Sequence, residues 1–120
     1  MSFKDLGVNP ALIKALHTAG IEKPFPIQKA TLPDAIAGKD ILGRGQTGSG
    51  KTLAFGLALM TRLAGKTAKP MQPLALILSP TRELAMQISD VIAPLSRTVN
   101  LNSQVVAGGL SYSKQIQALK

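Results

Sequence analysis

Gly45-Gln46-Thr47-Gly48-Ser49-Gly50-Lys51-Thr52 has the spacing G-x-x-x-x-G-K-[ST], and it stands between a short apolar run and a helical one. That pattern predicts a cradle for a nucleoside triphosphate. Glycines let backbone N–H groups turn inward around phosphate oxygens, and the following helix adds its free N–H groups and the positive end of its dipole. Lys51 is placed to reach the β- and γ-phosphates. Thr52 offers a hydroxyl to a magnesium ion bridging the same phosphates. The loop alone leaves the reaction open, because kinases, transport ATPases, GTPases and helicases share it.

Outward from the loop, Asp40-Ile41-Leu42-Gly43 reads as a strand entering it, and residues 52–63 as the helix leaving it. Upstream, Asn9-Pro10 supplies a cap and a first-turn proline for a helix striped with Leu12, Leu16 and Ala19 and stopped at Gly20. A shorter helix follows Pro26, carries Ile27, Ala30, Ile36 and Ala37, is disturbed by Pro33 and ends at Gly38. Downstream, Leu74-Ala75-Leu76-Ile77-Leu78 is apolar without alternation, which predicts a strand buried on both faces of a parallel sheet. Ser79-Pro80-Thr81 opens a helix with Leu84, Ile88, Val91, Ile92 and Leu95 at helical spacing, kinked or ended by Pro94. Residues 103–107 read as a further strand, Gly108-Gly109 as a tight turn and residues 111–119 as a last helix. Alternating strands and helices predict the α/β class, a parallel sheet with flanking helices and right-handed crossovers.

Composition bounds the rest. The 120 residues carry a formal charge of +8, no cysteine and a single histidine, so disulfides, thiolate metal sites and histidine metal clusters are excluded. No apolar run reaches the roughly 18 residues of a membrane span, and the amino terminus lacks the pattern of a secretory signal, which predicts a cytoplasmic protein with no membrane partner. His17 falls in the last turn of its predicted helix, where an imidazole sits well against the carbonyl end. The basic balance fits a polyanionic partner, but the lysines are scattered and serve equally as a solvated surface.

The motifs in order resemble one family. Gly20-Ile21-Glu22-Lys23-Pro24-Phe25-Pro26-Ile27-Gln28 resembles the Q motif of DEAD-box RNA helicases. The phosphate loop resembles their motif I, Pro80-Thr81-Arg82-Glu83-Leu84-Ala85 their motif Ia, and Gly108-Gly109 their double-glycine element. The resemblance covers essentially the whole chain and implies the amino-terminal portion of a RecA-like P-loop NTPase domain, with a Q-motif region over residues 1–38 and the phosphate loop, motif Ia and double glycine over residues 39–120.

It also implies roles. Gln28 presents the carbonyl and amide that suit the N6 and N7 edge of adenine, whereas guanine offers O6 in the matching place. Lys23, Gln46, Thr47, Gly48, Ser49, Gly50, Lys51 and Thr52 complete the ATP site, with Mg2+ on Thr52, and Lys51 and Thr52 are the residues of this chain that touch the reacting phosphates. Phe3 resembles the aromatic that stacks on the base, and alternatively it staples a small core under the first helix. Pro80, Thr81, Arg82, Gly108 and Gly109 fall where the family touches the RNA backbone, which implies sequence-tolerant, salt-sensitive binding. The chain departs from the family at Ile21, where an aromatic is usual, and at Phe25, where a small hydroxyl residue is usual; Phe25 either stacks on the base or packs beneath it.

Nothing in the sequence matches the Asp-Glu-Ala-Asp quartet, the Ser-Ala-Thr element or a second RecA-like domain. Phosphoryl transfer needs a carboxylate for the magnesium shell, a group to orient water and positive charge for the transition state. The chain therefore reads as the first part of a helicase that binds ATP and RNA, needs the remainder of the enzyme for activity and is inactive alone. The alternative is a non-catalytic ATP- and RNA-binding module.

Overall fold

The computed structural model describes residues 2–44, 50–67, 69 and 72–106. The loop residues 45–49, the Gly108-Gly109 turn and the helix expected over 111–119 lie outside the described residues. Four helices make up the regular structure: α1 (Pro10–Thr18), α2 (Pro26–Ile36), α3 (Lys51–Leu63) and α4 (Arg82–Arg97).

Local chemistry accounts for their ends. The Asn9 Oδ1 accepts the Ala11 N–H at 2.8 Å, and Pro10 follows with its φ preset for a helix. At the other end the Ile21 N–H donates to the Leu16 carbonyl at 2.8 Å and the Gly20 N–H to His17 at 3.0 Å, the paired bonds of a Schellman stop. The same pair closes α2, from Lys39 to Asp34 and from Gly38 to Ala35. Thr81 caps α4 by accepting the Leu84 N–H at 3.1 Å.

Neither internal proline ends its helix. α2 runs through Pro33 and α4 through Pro94 to Arg97. A proline in a helix forfeits one backbone bond and crowds the preceding turn. Each lies beside a side chain that burial holds in place, Leu32 at 0% exposure and Leu95 at 8%, and that packing offsets the lost bond.

The core lies among the helices. Leu12 and Leu16 of α1, Leu32 of α2, Leu57, Ala58 and Met60 of α3, and Ile92 and Leu95 of α4 form one cluster with Phe3, Leu6, Val8 and Val99. α3 packs against both α2 and α4, and α1 also touches α4. The crossing of α3 and α4 is close at Gly56, where a Cβ would stand 3.3 Å from Ile92 Cγ1. The start of α1 is tied to α3 by the Asn9 N–H, which donates to Thr61 Oγ1 at 3.2 Å. Ahead of it, the Ser2 N–H donates to the Asp5 carboxylate at 2.9 Å, which holds that carboxyl below its ordinary pKa and fixes the turn that folds Phe3 inward.

The expected sheet is where sequence and structure part. Among the described residues the only bridge between extended segments joins Lys69 and Gln72, and residues 40–43, 74–78 and 103–106 pair with nothing. The run expected to be buried on both faces is open: Leu76 is 78% exposed and Leu78 84%, and Leu42 in the segment entering the loop reaches 92%. A strand of a parallel sheet is covered only when neighbouring strands supply hydrogen bonds and a layer lies on each face. Here the helices make one layer, and the described segments have no strand beside them. The entering segment nonetheless runs along α2, since a Cβ at Gly43 would meet Thr31 and Ile27 at 3.7 and 3.8 Å.

Uncovered leucines and unpaired backbone favour association between chains. The isolated 120-residue chain is expected to self-associate at micromolar concentration, and the double substitution Leu76→Ser with Leu78→Ser to shift it toward monomer in sedimentation velocity. A parent chain that sediments as a monomer throughout would contradict this.

Candidate nucleotide site

Phosphate chemistry needs unspent backbone donors, and among the described residues no side chain caps the start of α3. Its N-cap is Gly50, which has no side chain to satisfy the first N–H groups, whereas Asn9 and Thr81 do so for α1 and α4. The N–H groups of the first turn of a helix have no partner within it, and the positive end of the helix dipole lies with them. Lys51 is exposed as the first residue of α3, and Thr52 behind it is half-buried. Gln46, Thr47, Gly48 and Ser49 lie outside the described residues.

Gln28 is joined to this helix start. As the third residue of α2 it turns back, and its Oε1 accepts the Phe25 N–H at 2.9 Å, the return half of a capping box. Its Nε2 donates to the Gly50 carbonyl at 3.1 Å. That carbonyl also accepts the Ala54 N–H at 3.0 Å as the first link of α3. The Gln28 side chain is 1% exposed and so spans the start of one helix and the start of the next within the protein.

Gly50 is fixed by two independent constraints. Its φ of +86° lies in the left-handed region, and a Cβ there would stand 2.5 Å from Gln28 Nε2 and 2.7 Å from Phe25 Cδ2. The sequence motif supplies a reason for glycine from phosphate approach. The structure adds the crowding by Gln28 and Phe25, which is a long-range contact with no signature in the spacing.

The other residues singled out from the sequence lie away from this contact. Phe3 is 3% exposed, its ring packed in the core rather than open to a base, in keeping with the staple under α1. Lys23 is exposed in the loop before α2, where the neighbouring Pro24 is buried. His17 is in the last turn of α1, but its Nδ1 stands 3.2 Å from Glu22 Oε1 on the surface. Pro80, Thr81 and Arg82 are exposed at the start of α4, and Arg82 and Glu83 do not pair with each other. Among the described residues no group of three acidic or histidine side chains could hold a metal. The hydroxyl of Thr52 stands in the first turn of α3, where one protein ligand to a phosphate-bound magnesium ion would come from, and the carboxylate such an ion also needs is not among the residues at this helix start.

With this geometry in view, the sequence profile of the DEAD/DEAH box helicases matches residues 25–120. The chain belongs to that family. It is 44% identical over 124 residues to the ATP-dependent RNA helicase RhlB of Xanthomonas oryzae pv. oryzae, covering 100% of this chain and 22% of the relative. It is 43% identical over 122 residues to RhlB of Vibrio vulnificus, covering 98% of this chain and 28% of that protein. The chain thus spans about a quarter of the length of these relatives.

Solved structures give the same result for the backbone. The RNA helicase Prp28 from Chaetomium thermophilum bound to ADP superposes with a TM-score of 0.85 at 35% identity, over 93% of this chain and 28% of that one. A DEAD box protein from Methanococcus jannaschii superposes at 0.80 and 32% identity, over 100% of this chain and 32% of the other. The path of the chain is that of a RecA-like domain, although among the described residues the extended segments 40–43, 74–78 and 103–106 do not pair. No helix among the described residues is long and apolar enough to cross a membrane.

The contacts of Gly50 predict the effect of filling it. Gly50→Ala is expected to lower stability by about 1–3 kcal/mol, through strain at positive φ and displacement of Gln28. Chemical denaturation would measure it, and a loss no larger than that of Gly65→Ala, where φ is +82° and a Cβ would meet nothing within 4 Å, would show that crowding is not part of the cost.

Proposed function

We propose that this chain forms the ATP-binding part of an ATP-dependent RNA helicase whose complete form couples ATP binding and hydrolysis to RNA unwinding or remodelling of RNA–protein complexes. The observation that carries the reading is the bond from Gln28 Nε2 to the Gly50 carbonyl, which sets an amide suited to adenine beside the helix start suited to phosphates. An amide oxygen has two lone pairs and an amide nitrogen two hydrogens, so each retains one valence beyond the bonds it makes here. Those remaining valences match adenine N6 and N7.

In this reading Lys51 neutralises the β- and γ-phosphates, Thr52 carries Mg2+, and Gln46, Thr47, Gly48, Ser49 and Gly50 supply the backbone cradle. Lys23 lies on the base side. Stacking by Phe3 requires its ring to leave the core. Pro80, Thr81 and Arg82, with Gly108 and Gly109, take the RNA backbone, and the cation at a capped helix start favours phosphate without reading bases. The relatives' description as ATP-dependent RNA helicases supports both ligands. In the proposal the extended segments of this chain are strands of the family's parallel sheet, the central strands, the acidic motif and a second RecA-like domain belong to the rest of such an enzyme, and the setting is cytoplasmic.

In the full-length protein, ATP and ADP should bind more tightly than GTP and GDP, and Gln28→Ala should narrow the gap. Competition titrations measure this, and equal affinities in the parent would sink the role of Gln28. Lys51→Ala should weaken ATP far more than adenosine; a change within about twofold for ATP would make the loop a mere turn, since a lost charge-assisted phosphate contact is worth about 1.5–3 kcal/mol. Arg82→Ala should lower affinity for single-stranded RNA uniformly across sequences and flatten the log–log salt dependence by about 0.7 per lost contact. A loss confined to one sequence would argue for base reading instead.

A further inference from the structure

We draw no further inference here: the strongest candidate, the open cavity of about 390 Å³ that Phe55, Leu59 and Arg62 of α3 form with Ala35 of α2 and Leu74, is an unpartnered apolar face, and nothing in the structure shows what covers it.

Discussion

One side-chain amide holds the candidate site in register. Gln28 is all but inaccessible to water, so both ends of its amide must find partners inside the protein, and they find the Phe25 N–H on α2 and the Gly50 carbonyl on α3. A buried amide that loses a partner costs about 1–3 kcal/mol. Any displacement of the start of α3 relative to α2 is opposed by that penalty. The glycine at position 50 is the other half of the constraint, since the amide can approach its carbonyl only while no Cβ stands between them. The start of α3 and the segment before α2 lie apart in sequence, and this contact makes them one structural unit.

The helices were legible because their signals are local. A capping asparagine, a first-turn proline and a glycine in the left-handed region act within a turn of where they stand, and α1 begins and ends where Asn9 and Gly20 predict. Prolines are less legible for the opposite reason: α2 runs through Pro33 and ends before Gly38 as expected, and α4 runs through Pro94, each proline beside a leucine whose burial is set by distant partners. Strands depend still more on distant partners. The apolar run of residues 74–78 signals a buried strand, but burial requires neighbours on both sides, and among the described residues it has none. Motif spacing placed Lys51 and Thr52 at the start of α3 and Thr81 and Arg82 at the start of α4, while the Gln28 bond to Gly50 could not be read from spacing at all.

What the sheet does not supply, the helical layer must. α3 lies against α2 on one side and α4 on the other, and each of these three helices carries a family motif at its amino end. Packing of the helices is therefore what relates the motifs to one another. The contact of Gly56 with Ile92 is close enough that a methyl group would crowd it, and Ile92 is itself 6% exposed in the core. Close-packed side chains transmit displacement rather than absorb it. A displacement of α3 would therefore be passed to α4, whose start bears Thr81 and Arg82. The α3–α4 contact is thus the packed path between the two ends at which the proposal puts a nucleotide and a polyanion. A less intimate crossing, with a larger residue at position 56 and a gap beside it, would let either helix move without the other.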